Sequence, residues 1–233
     1  MNWAEITLNP LFGFTLTIAV MLMYQALYNR FPSSLINPFL FSMVTIIAFL
    51  LLTGTPYEHY EKGASMLTFF LGPAIVALAI PLYRQFDKLK ANALPVLLGI
   101  AAGVFASITS GILLSMLFGL SRETIISMAP KGATSAISLN LSAMMGGDSS
   151  MTVTFVNIAG IAAYVLGVKV MDLFGIRNPV ARGLGLGTAA HAMGTKRALE
   201  LGEEEGAMGS LAIGVAGILT AFFMPFLVRL FGL

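Results

Sequence analysis

Apolar positions in this chain gather into long uncharged runs, at residues 6–29, 31–57, 91–121, 149–168 and 206–228, divided by short polar clusters. A bilayer core of about 30 Å needs about 20 apolar residues per helical crossing, so each run predicts a membrane helix. Arg30 and Phe31-Pro32 separate the first two runs, and Asn37-Pro38 marks a helix start, where proline suits the first turn. The cluster YEHYEK at residues 57–62 predicts an interfacial loop with tyrosines at headgroup level. His59 sits there with two glutamates, too sparse a donor set for a metal.

Three further stretches do not fit a plain crossing. Residues 63–83 are interrupted by Gly72-Pro73 and again by Pro81. A proline costs a helix interior about 3 kcal/mol, so this predicts a broken or re-entrant segment, with a kinked spanning helix as the alternative. The basic loop of Arg84, Lys88 and Lys90, and the group Asp172, Arg177 and Arg182, both belong on the cytoplasmic side by the positive-inside rule. The two long runs between them already supply an even number of crossings. Residues 124–147 should therefore enter and leave on one side. Residues 181–197, ARGLGLGTAAHAMGTKR, are too polar to face lipid and too apolar for a surface loop, and should enter the membrane without spanning it as one ordinary helix.

An internal repeat is also legible. Laying Gly72 on Lys131 matches Ala74 with Ala133, Ala77 with Ala136 and Leu82 with Leu141, and it moves the run from Ala91 onto Ser150. The shared order is an interrupted segment followed by a long helix, which predicts repeat units at about 63–119 and 121–175, in the inverted arrangement many transporters use.

Composition supports the pattern. The chain is 57% hydrophobic and 10% charged, with a mean hydropathy of +0.87. Together these predict an all-α polytopic membrane protein of about five to eight membrane segments, some broken or re-entrant. A net charge of +2 without a basic run makes nucleic acid an unexpected partner. Cysteine is absent, which removes disulfides and thiolate chemistry. The N-terminus lacks the basic start of a cleaved signal.

The candidate chemistry lies in the interrupted stretches. Lys131, just after Pro130, is a cation at membrane depth and therefore a candidate functional residue facing the protein interior, unless it snorkels to the interface. With Thr134, Ser135, Ser138 and Asn140 nearby, and a helix N-terminus favouring anions, it suggests a small carboxylate. Residues 181–197 offer Gly187 and Gly194 for close backbone approach, Thr188 and Thr195 as hydroxyl donors, His191 as a titratable donor, and Lys196 or Arg197 as a cationic rim. Gly185-Leu-Gly187-Thr-Ala-Ala190 fits the loose spelling of a dinucleotide turn but has no preceding strand, and Asn140-Leu-Ser142 is not read as a glycosylation acceptor. Gly99 and Gly103 form a small-xxx-small pair for helix packing, and Glu203, Glu204 and Glu205 begin the last helix. No catalytic or metal site is expected.

Residues 72–85 (GPAIVALAIPLYRQ), 130–138 (PKGATSAIS) and 181–221 together resemble the LrgB (CidB) family of bacterial membrane proteins, which includes a portion of the plastidal glycolate/glycerate translocator. The family's second block reads close to PKSVTTPIA; Lys131, Thr134 and Ile137 agree with it, while Ala136 replaces a proline and Ser138 an alanine. The resemblance covers nearly the whole chain as a single domain, 1–233. It implies a multi-pass protein of the bacterial inner (plasma) membrane that moves small monocarboxylates of pyruvate, glycolate or glycerate type. It also implies an LrgA-type membrane partner and a homo-oligomer, with no cofactor and with coupling to H+ or Na+ left open. The alternative implied function is antiholin-like regulation of murein hydrolase export and lysis.

Overall fold

The computed structural model describes residues 3–31, 37–70 and 93–233, together with Pro73, Val76, Ile80, Tyr83, Asp87 and Lys90. Gly72 and Pro81 lie outside the described residues, as do most of the positions between them. Pro73 is helical and exposed. The chain packs as two compact units, residues 1–77 and 78–233. The described residues hold ten α-helices and no strand, in agreement with the all-α expectation.

The first unit contains α1 (Trp3–Leu8), α2 (Leu11–Arg30), α3 (Pro38–Thr53), α4 (Tyr57–Ala64) and a 3-10 turn, Ser65–Phe70. Asn37 caps α3 as its sequence suggests, accepting from the Phe39 and Leu40 amides at 2.9 and 3.2 Å. Within the 31–57 run α3 covers 16 residues, and Gly54 ends it in the left-handed region at φ 63°. At about 1.5 Å per residue such a helix falls short of a full crossing. Residues 57–62 are a helix rather than the expected loop: their backbone bonds are satisfied within α4, and Gly63 and Gly13 let α4 and α2 touch backbone to backbone. His59 pairs with Thr7 at 3.1 Å, and Tyr60 with Thr17 at 2.9 Å.

The second unit contains α5 (Ala93–Leu117), α6 (Arg122–Met128), α7 (Ser135–Met145), α8 (Ser149–Leu173), α9 (Pro179–Leu201) and α10 (Glu203–Leu230). With α2, the helices α5, α8 and α10 are long and apolar enough to cross a membrane. The remaining three helices of this unit form two hairpins.

The first hairpin is α6 and α7. Ser138 Oγ donates to the Pro130 carbonyl at 2.7 Å, the Asp148 amide donates to Ser127 Oγ at 2.8 Å, and Arg122 lies beside Gly146. The pairing runs antiparallel, with its tip at residues 130–134. Residues 124–147 thus enter and leave at one end, as the charge pattern requires.

The second hairpin lies inside α9. Ala190 (φ −138°, ψ 18°) and His191 (φ 43°, ψ −127°) break the helix into two limbs, residues 179–189 and 192–201. Along the first limb, Gly183 meets Glu205 and Met208, and Gly187 meets Gly209 and Ala212. Along the second the order reverses, with Thr195 and Ala198 at Gly209 and Leu199 at Gly206. One limb therefore runs parallel to α10 and the other antiparallel, so α9 doubles back on itself. Gly194 packs directly on the Leu186 carbonyl, where any side chain would collide.

The hairpins enter from opposite ends of α5. Met128 lies beside Ser115, and Lys131 beside Gly111 and Ser107, so the first hairpin comes from the C-terminal end. Pro95 shares a cavity wall with Asn178, and Gly103 packs on Thr188, so the second comes from the N-terminal end. Their tips meet at the middle of α5, where Gly132 approaches the Thr188 carbonyl.

A single shift relates hairpin and following helix in the two halves. Moving Arg122 onto Pro179 is a shift of 57 (179 minus 122), and it carries Leu173, the end of α8, onto Leu230, the end of α10. It also superposes Ala159-Gly160-Ile161 on Ala216-Gly217-Ile218 and Met151 on Met208. The contacts are reciprocal: Gly160 of the first half faces His191 and Met193 of the second, and Gly217 of the second faces Ile137 of the first.

Candidate functional site

Where the tips meet, the protein has a partly open cavity of about 930 Å³ walled by α5, α8 and the first limb of α9. Its described polar lining is Ser107, Ser110, Lys131, Asn178 and Thr188; glycine, alanine and other apolar residues make up the rest of the described wall, with no carboxylate among them. Lys131 reaches in from the opposite hairpin, donating from Nζ to the Ser107 carbonyl at 2.8 Å. Gly111 makes room for that ammonium, since a Cβ there would lie 2.6 Å from Nζ. Lys131 has no ion pair among the described residues. A cation in a low-dielectric interior costs several kcal/mol unless an opposite charge joins it.

Thr188 is 6% exposed, lines the same cavity, and its Oγ1 has no hydrogen-bond partner among the described residues. An unpaired buried hydroxyl costs about 1–3 kcal/mol. An anion between Lys131 and Thr188 relieves both penalties at once. Sequence reasoning missed Ser107 and Ser110. Their spacing of three on an uncharged helix puts them on one face, which was the available signal.

The other sequence candidates have other surroundings. Thr134 occupies the N-cap position of α7 without a side-chain bond, and Ser135 follows it half-buried. Ser138 closes the first hairpin. Asn140 is exposed and donates to the Ala136 carbonyl at 2.8 Å. Gly187 and Gly194 serve helix contact. His191 Nε2 donates to the Val156 carbonyl of α8 at 3.2 Å; a carbonyl only accepts, so that nitrogen carries the proton. Thr195 is buried against Gly209, with its hydroxyl unpaired in the protein. Arg197 pairs with Glu200 at 2.8 Å and stacks on Tyr164, whose hydroxyl donates to Glu200 at 2.8 Å. Of the predicted set, Lys131 and Thr188 meet in the cavity, while His191, Thr195 and Arg197 are not among its lining residues. Gly103 packs on Thr188, and Gly99 and Gly103 both line the cavity.

Four described helices long and apolar enough to cross a bilayer, together with the broken helix α9 and the α6–α7 hairpin, define a polytopic membrane protein. The chain belongs to the LrgB-like family, whose model matches residues 17–230. It is 38% identical over 229 residues to the antiholin-like protein LrgB of Bacillus subtilis (strain 168), covering 98% of this chain and 99% of that one. The protein YxaC of the same organism is 37% identical over 216 residues, covering 93% of this chain and 94% of YxaC. The antiholin-like protein LrgB of Bacillus cereus (strain B4264) is 36% identical over 226 residues, covering 95% and 98%. No solved structure matches this chain.

Proposed function

We infer that this protein is a transporter of small monocarboxylates, of pyruvate, glycolate or glycerate type, working in the cell membrane with an LrgA-type partner and without a catalytic step. The observation that carries the reading is Lys131, a cation with no ion pair among the described residues, at the end of a cavity that no described carboxylate lines. One cation among neutral donors favours a monoanion over a dianion. The apolar remainder of the wall suits a small organic acid better than a strongly hydrated inorganic ion.

Uptake of labelled pyruvate, glycolate and glycerate into proteoliposomes, with and without the LrgA-type partner, tests this reading. The expected result is uptake of at least one acid that Lys131→Ala reduces by about a hundredfold, the cost of losing about 3 kcal/mol of anion binding. Uptake unchanged by that substitution overturns the role of Lys131.

The relatives' printed name, antiholin-like, favours a second reading, a regulator of murein hydrolase export and lysis that moves no solute itself. Absence of uptake under every condition, together with a lysis phenotype on deletion, supports that reading instead.

A further inference from the structure

The cavity lies on only one side of the meeting point of the hairpin tips. Its walls there are Ala159, Ala162 and Ala163 of α8 and Leu184, Gly185 and Thr188 of α9. The shift that relates the two halves carries the first three to Ala216, Leu219 and Thr220, and the second three to Ser127, Met128 and Lys131. On that second side the protein is packed. Ala216 and Thr220 are 2% and 3% exposed, and Thr220, Ala129, Pro130 and Gly132 leave no space for a water. Met128 is held against Ser115 at 3.1 Å.

Two halves built on one pattern but packed differently are the arrangement that inverted-repeat transporters use for alternating access. The reciprocal glycines, Gly160 under the second hairpin and Gly217 under the first, give each hairpin a smooth neighbour to slide against. Lys131 and Thr188 are themselves related by the shift, so they stay together at the centre in either state.

We propose that the two hairpins are alternating gates of one anion seat. The present state is open toward the ends of α9, and exchanging the hairpins' packing opens a second cavity, lined by Ala216, Leu219 and Thr220, toward Arg122. The proposal rests on the reading of Lys131 as the anion's anchor and adds how that anchor is reached from each side.

Because the chain contains no cysteine, one introduced thiol reports alone. Full-length Ala163→Cys, Thr220→Cys and Leu219→Cys proteins are placed in sided vesicles with the partner and probed with a membrane-impermeant maleimide from each face. Asn178→Cys marks the face on which α9 begins. The proposal expects Ala163→Cys to react from the Asn178 face and Thr220→Cys or Leu219→Cys from the opposite face. It also expects prior modification at Ala163 to slow the second-site reaction about tenfold in the doubly substituted chain, as a shift in a two-state population requires. The proposal falls if both substituted sites of the second cavity react from the Asn178 face. It falls equally if both stay unreactive in protein that elutes as a single species while Ala163→Cys reacts. Uptake that depends on Lys131 alongside either result leaves the transport reading intact and removes only the gates, whereas two-faced labelling without uptake of any acid removes the transport reading.

Discussion

His191 is the one described non-glycine residue at positive φ, and it sits where α9 turns back. Its φ of 43° with ψ of −127° is a conformation that costs a side chain about 1–3 kcal/mol, so the fold holds it there through packing and the bond to Val156. His191→Gly removes the strain and the hydrogen bond, while His191→Ala removes only the bond. Thermal unfolding in detergent should therefore show the alanine variant to be the less stable of the two by about 1 kcal/mol. Equal stabilities would show that the turn carries no strain. The site depends on a similarly local feature, the absence of a side chain at Gly111 beside the Lys131 ammonium. Gly111→Ala should weaken carboxylate binding about tenfold while leaving the elution profile unchanged, a displacement that costs about 1.4 kcal/mol.

Among the elements, the hairpins were legible in the sequence to different degrees. Pro130 and Lys131 announced the first, because a proline beside a charge inside an apolar stretch cannot continue a membrane helix. The second had no proline. Its polarity showed that residues 181–197 were unusual, but the break at Ala190 and His191 is imposed by tertiary contacts, with Gly194 on the Leu186 carbonyl and both limbs against α10. Contacts between residues distant in sequence leave no periodic trace, which is also why the stacking of Arg197 on Tyr164 was hidden, whereas its pairing with Glu200, three residues on, was open to a local reading. The close approach makes a testable contrast. Gly194→Ala should destabilise the protein by about 1–3 kcal/mol through overpacking. Gly99→Ala, with open space around its Cβ position, should leave the unfolding midpoint within experimental scatter. Comparable losses at both positions would contradict the doubled-back geometry of α9.

For the molecule as a whole, charge and topology point the same way. Lys169, Arg177, Arg182, Lys196 and Arg197 lie toward the ends of α9, against Arg122 and Arg229 toward the base of the first hairpin. The positive-inside rule places the ends of α9 in the cytoplasm and the end of α10 outside. Alkaline phosphatase fused after Leu233 should be active, and the same reporter between α8 and α9 inactive; the opposite pattern would invert the orientation. The sequence suggests a repeat in another register, with the interrupted part of its first copy, residues 72–85, mostly outside the described residues. The relation between residues 122–173 and 179–230 rests mainly on element lengths and reciprocal contacts, because few letters survive it. The central claim is that Lys131, meeting Thr188 between the two hairpin tips, holds a small carboxylate. Equilibrium binding of labelled pyruvate, glycolate and glycerate to the purified protein, compared with Lys131→Met and Thr188→Val, tests it most directly. The account predicts binding of at least one acid that Lys131→Met weakens about a hundredfold and Thr188→Val about tenfold, in proportion to a lost charge and a lost hydrogen bond. Binding of that acid by Lys131→Met at the wild-type level would contradict it.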